Sequence, residues 1–177
     1  MAILPIRLYP DPVLRLRCAE VDRFDTDLER FVADMVETMH AAPGVGLAAS
    51  QVGVTQRVAV VDLSVGKDPD DLLVLVNPEI LSGEGDVVDT EGCLSLPDFT
   101  EKVGRAFKIQ VRAQTVSGEP FEFEADDWLA RAIQHEVDHL DGVLFVDRLR
   151  GLRKDRARRA LKRMAERAAE SPTAVAP

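Results

Sequence analysis

The sequence predicts an α+β chain in which antiparallel β-sheets pack with three helices, and three observations carry that reading. Four strand-like runs rich in β-branched or aromatic residues, "RVAVVDL" (57–63), "LLVLVNPEI" (72–80), "KIQVRAQTV" (108–116) and "FEFEA" (121–125), are joined by Gly, Pro, Asp and Ser connections. No helical segment separates these runs, so antiparallel pairing fits better than βαβ units. Apolar residues recur at helical spacing in other segments, from Thr26, from Asp127 and, as a thin stripe, from Arg153.

The elements follow in order. The first 25 residues hold several prolines and short apolar pairs, which suits an extended arm. Thr26 and Glu29 make a capping box, and Leu28, Phe31, Val32, Met35 and Met39 continue a helix toward His40, where Pro43 and Gly44 stop it. "APGVGLAASQVGV" (42–54) reads as a Gly/Ala-rich loop, and "SGEP" (117–120) as a hairpin turn. Asp126 or Asp127 caps the second helix and Gly142 ends it. Trp128, Leu129, Ala132, Ile133, Val137 and Leu140 cover most of that helix's circumference, as on a buried helix. "VLFVDRL" (143–149) is strand-like, and "RKDRARRALKRMAERAAE" (153–170) is the third helix.

A chain of 177 residues is about one domain, and 46% hydrophobic residues are enough for a core. No apolar run approaches the roughly 20 residues that span a bilayer. The N-terminus lacks a basic, then apolar, then small-residue pattern, so the expectation is an unexported, cytoplasmic chain. Two cysteines, Cys18 and Cys93, are no disulfide framework, and Cys18 reads as a core thiol. The net charge of −9 is unevenly spread: Arg148 to Glu170 holds ten of the 22 basic residues and three of the 31 acidic ones. The acidic body argues against general nucleic-acid binding, while the basic tail suits one anionic partner.

Chemistry concentrates in "QHEVDH" (134–139), which has the form H-E-x-x-H. Residues four apart on a helix share a face, so His135 and His139 can hold one metal ion. Glu136, beside the first ligand, is placed to hold a water and move its proton. A catalytic site of this kind needs a third ligand. No later His exists, and "LDGVLFVDRLRG" (140–151) just downstream offers only Asp141 and Asp147. Cys93 in "TEGCLSLP" (90–97) is the stronger candidate, because a thiolate binds divalent metals tightly. Gln51, at the end of the glycine-rich loop, carries an amide N–H that can serve an oxyanion, although a loop glutamine is ordinarily solvated. "GVG" (44–46) matches neither nucleotide-binding glycine pattern.

Three separated segments, "GVGLAASQ" (44–51), "EGCLS" (91–95) and "QHEVDH" (134–139), together resemble the peptide deformylase family, as do "DPVLR" (11–15) and "HLDGVLFVDRL" (139–149). The resemblance runs from about residue 3 to 150. It implies an α+β fold with antiparallel strands around the H-E-x-x-H helix and a catalytic domain over 1–150, which the basic helix over 151–170 and a frayed tail over 171–177 follow. It implies a hydrolase that takes formate from N-formyl-methionyl nascent peptides. Cys93, His135 and His139 would bind one divalent ion, Fe2+ natively, with Zn2+, Ni2+ or Co2+ as replacements. Glu136 would be the general base and acid, with the Gln51 amide and the Leu94 N–H serving the oxyanion. Gly46 and Gly92 would pair with the substrate backbone, and Val45, Trp128 and Ala132 would line the methionine pocket. Glu91 and Arg105 resemble a supporting ion pair.

The resemblance also implies a ribosome contact through the basic C-terminal helix, with no membrane and no DNA partner. Ser50, Pro43, Thr100 and Arg131 depart from spellings common in relatives, none of them at a catalytic group. Two other functions fit parts of the pattern. A small metalloendopeptidase would use the same helix, but Cys93 argues against it. A ribosome-associated protein with a structural metal would leave Glu136 and Gln51 without a role.

Overall fold

Strand β2 (Val58–Val61) is buried at every position, which explains why its run is apolar throughout instead of alternating. Val58 and Val60 pack under helix α1 (Thr26–Ala41), in a cluster with Val32, Met35 and Met39. Val61 turns to the opposite side and joins Ile133 and Val137 of helix α2 (Asp127–Leu140). The two-residue period of a strand thus puts one helix on each face of the sheet. The computed structural model describes residues 2–170.

The five-stranded sheet has the order β1-β2-β3-β6-β7, antiparallel throughout, with β1 at Gly46–Ala48, β3 at Leu73–Glu84, β6 at Lys108–Gln114 and β7 at Pro120–Asp126. A separate two-stranded ribbon pairs β4 (Val87–Cys93) with β5 (Leu96–Arg105). Its Leu96 and Val103 pack with Leu14, Phe145 and Leu149 and with Ala157 of helix α3 (Gly151–Glu170). Helix α2 lies among these parts, buried from Ala130 to Leu140 except at Gln134. Among the described residues no helix is long and apolar enough to cross a membrane.

Several local expectations are corrected. The cap of α1 is Asp25, not Thr26: its carboxylate accepts from the N–H groups of Asp27 and Leu28. A carboxylate serves the positive helix end better than a hydroxyl, and Thr26 becomes the first helical residue. "VLFVDRL" is not a strand. Asp147 accepts from the Leu144 N–H at 2.8 Å and closes a 3-10 turn over Phe145–Arg148. The loop 42–54 contains β1 and a 3-10 turn at Ala49–Val52. The β4–β5 ribbon is not among the expected strands, and Trp128 is half exposed instead of buried in the core. The expected frayed tail, 171–177, lies outside the described residues.

Gly142 does end α2 as expected, and it has to be glycine: its φ is +73°, and a Cβ would lie 2.6 Å from the Arg15 carbonyl oxygen. At the end of α1, His40 bonds Asp62 at 2.7 Å. Burial alone would raise the Asp62 pKa. Hydrogen bonds from the Ser64 hydroxyl, the Gly66 N–H, His40 and the Ser64 N–H outweigh that and lower it from 3.8 to about 2. Because the folded value is depressed, this stabilisation is present above pH 3.8 and is lost as pH falls toward 2. It amounts to roughly 2 kcal/mol. Asp62→Asn is therefore expected to flatten the acid arm of the stability–pH curve between pH 4 and 2 in denaturant titrations. An unchanged acid arm would contradict this.

Candidate active site

His135 and His139 stand one turn apart on α2, with ring centroids 5.0 Å apart. The third group comes from the ribbon. Between Glu91 and Cys93 the β4–β5 register shifts, and Cys93 faces Leu96 across the turn. This brings the Cys93 Sγ to 3.1 Å from the His139 Nε2. One ligand atom from each of Cys93, His135 and His139 lies within 4.8 Å of the others.

These residues fit a divalent metal. Thiolate sulfur and imidazole nitrogen are both ligands of zinc-type ions, and three protein ligands are the number a catalytic site uses. Glu91 Oε2 takes the His135 Nδ1 at 3.0 Å, which leaves the Nε2 of that ring for an ion and fixes its orientation. Burial, then the charges of His135 and Arg105, keep the His139 pKa well below its ordinary value, and a ligand imidazole must be neutral. Burial also opposes charge on His135, but contacts with Cys93 and Glu91 outweigh it and raise that pKa well above the usual value. Glu91 is itself held well below the carboxylate range: burial works against its charge, and hydrogen bonds from Arg105 and His135 prevail.

Glu136 is buried, and its Oε2 has no hydrogen-bond partner. Burial pushes its pKa up to about 7, the range suited to proton transfer near neutral pH. The edge strand β1 passes directly over it. A Cβ on Gly46 would fall 2.3 Å from Glu136 Oε1, so a larger residue there would displace that carboxylate. Gln51 is almost fully buried rather than solvated. Its Oε1 accepts from the Ala48 N–H at 3.0 Å, and its Nε2 donates to Ser95 Oγ at 3.1 Å and toward Cys93 Sγ at 3.6 Å.

A cleft of about 400 Å³ opens over these groups. Gln51, Cys93, Leu94, His135 and Glu136 line it, together with Val45, Gly46, Gly92, Trp128 and Ala132; His139 lies beneath. The residues singled out in sequence thus converge on one place. Trp128 and Val45, half exposed, stand where they can form its rim. Three contributors escape a reading of the sequence. Ser95 positions the Gln51 amide, and nothing but its nearness to Cys93 could signal it. Asp138, inside the H-E-x-x-H motif, bonds Arg105 and Arg148. Arg131, a departure from common spellings with no assigned role, is buried and bonded to Glu91.

The family model described as polypeptide deformylase matches residues 3–155. The chain belongs to the polypeptide deformylase family. A peptide deformylase of Acidobacterium capsulatum is 50% identical over 170 residues, covering 96% of this chain and 99% of the relative. The crystal structure of a peptide deformylase from Legionella pneumophila superposes with a TM-score of 0.86 at 43% identity, covering 97% of this chain and 100% of the other. One from Thermus thermophilus gives 0.85 at 43% identity, covering 94% and 99%. The α+β fold is therefore that of the deformylases, and the site is that of a metallohydrolase built on a Cys-His-His set.

Proposed function

We propose that this chain hydrolyses the formyl group from the N-terminal formyl-methionine of newly made polypeptides, with Cys93, His135 and His139 holding Fe2+ and Glu136 moving the proton. The observation that carries the reading is the meeting of three ligand atoms within 4.8 Å, beside an unpartnered carboxylate oxygen in one cleft. A bound divalent ion supplies Lewis acidity, which polarises a carbonyl and acidifies water. Glu136 takes a proton from the water that attacks the formyl carbon. The Gln51 Nε2 and the Leu94 N–H donate to the oxygen that gains charge. Glu136 then returns the proton to the nitrogen as the C–N bond breaks, leaving formate and a free amine. Gly46 and Gly92 offer backbone on either side of the cleft to an extended peptide. Val45, Trp128 and Ala132 receive the methionine side chain.

The test is to load the protein with Fe2+ without oxygen, supply formyl-Met-Ala-Ser and measure formate. Formate without internal cleavage is the expected result. Cleavage at internal bonds would favour an endopeptidase, against which the Cys93 ligand already argues.

Fe2+ as the native ion, a cytoplasmic location and ribosome contact through α3 belong to the same reading. Arg159, Lys162 and Arg163 on α3 are exposed, and Arg153 and Arg156 lie against Glu101 of β5. Reversing Arg159 and Arg163 to Glu is expected to weaken cosedimentation with ribosomes and flatten its salt dependence, with hydrolysis of the tripeptide unchanged. Unaltered cosedimentation would count against the docking role.

A further inference from the structure

We propose that Arg131 is a positioning residue of the metal centre, setting how α2 meets the β4–β5 ribbon and, through Glu91, how His135 is aimed. The inference rests on the reading of Cys93, His135 and His139 as ligands. Two of those ligands ride on the helix and the third on the ribbon, so the centre is only as well formed as the junction between them. Arg131 spans it from the helix, as Arg105 spans it from the ribbon through Asp138. The Arg131 Nη1 donates to Glu91 Oε1 at 2.7 Å and to the Val103 carbonyl at 3.0 Å, and its Nη2 donates to the Val87 carbonyl at 2.7 Å. Val87 belongs to β4 and Val103 to β5, so one guanidinium grips both strands.

The carboxylate of Glu91 is shared in a particular way. Arg131 donates to Oε1, His135 Nδ1 bonds Oε2, and Arg105 donates to both oxygens. Arg131 and His135 are four residues apart, hence on the same face of α2. The helix therefore holds the two ends of one carboxylate whose strand also carries Cys93, two residues on. Rotation of Glu91 would turn the imidazole, and Arg131 and Arg105 together prevent it. An arginine that merely filled the pocket wall would need none of these acceptors. One that is 5% exposed and bonded in three directions uses the planar fork that lysine lacks.

Metal-free wild type, Arg131→Met and Arg131→Lys are each titrated with Co2+, following the melting temperature and the thiolate-to-cobalt absorption. Loss of a supporting partner of a ligand typically lowers metal affinity about 10–100-fold. Arg131→Met is expected to fall in that range, with a smaller cobalt-induced rise in melting temperature and a shifted absorption band. Arg131→Lys is expected to lie between it and wild type. A purely structural role would lower the melting temperature of the metal-free and loaded forms equally. The rise and the band would then match wild type, and that result overturns the proposal. Should Arg131→Met fail to fold, Arg131→Lys decides: weaker cobalt binding supports the proposal and wild-type binding overturns it. No cobalt response in the wild type would instead overturn the ligand reading beneath it.

Discussion

Glu136→Gln is expected to lower the rate of formate release by about 10³-fold, within the 10²–10⁴-fold range of a positioned general acid–base group. The amide keeps the shape of the carboxylate but cannot take a proton from water or hand one to the leaving nitrogen. The loss should fall on kcat, because in the proposed mechanism Glu136 acts when the water attacks and when the C–N bond breaks, while β1 and the ribbon hold the peptide. Metal content should stay at the wild-type level, since Glu136 is not among the three ligand groups. The fold should tolerate the change, because the carboxylate's Oε2 has no partner to lose. Single-turnover kinetics with metal analysis on the same samples checks this. A rate within a few-fold of wild type would remove Glu136 from the reaction.

Cys93→Ala is expected to abolish both metal retention and activity. Two imidazoles from one helix remain, and they are too few for a closed set of three protein ligands. The drop in affinity should exceed the roughly 10–100-fold seen when only a supporting residue is lost. Far-UV circular dichroism should be unchanged, since Cys93 sits at the end of β4 and Leu96 and Val103 anchor the ribbon without it. The discriminating measurement is metal per chain after dialysis. A variant that keeps one ion and wild-type turnover would mean that the third ligand lies elsewhere.

Much of this can be read in the sequence, and the parts that cannot share a cause. Helix α2 announces itself through its apolar positions and its two histidines, β2, β3 and β6 through β-branched runs, and β7 through alternating Phe and Glu. The ribbon that carries Cys93 gives no such signal. From Val87 to Arg105 only Glu91, Ser95, Leu96, Val103 and Arg105 are buried, so its strands carry few apolar residues at core positions. Pairing with its neighbour, not local hydrophobicity, makes it a sheet. The charge network is hidden for a similar reason. Arg105 joins Glu91, 14 residues away, to Asp138, 33 residues away, and no local pattern marks such partners. A loop glutamine is ordinarily solvated, but Gln51 can be buried because Ala48 and Ser95 satisfy both ends of its amide. "VLFVDRL" misleads because its apolar residues fill the cluster beneath α3 from a 3-10 turn as well as a strand would.

In the proposed mechanism, one ion held by Cys93, His135 and His139 makes this cleft a deformylase. The most direct test is an oxygen-free titration of the metal-free chain with Fe2+, scoring bound iron and formate release from formyl-Met-Ala-Ser together. Formate release should rise in proportion to bound iron and level off at one ion per chain. Full activity in the metal-free chain, or none in the loaded one, would contradict it.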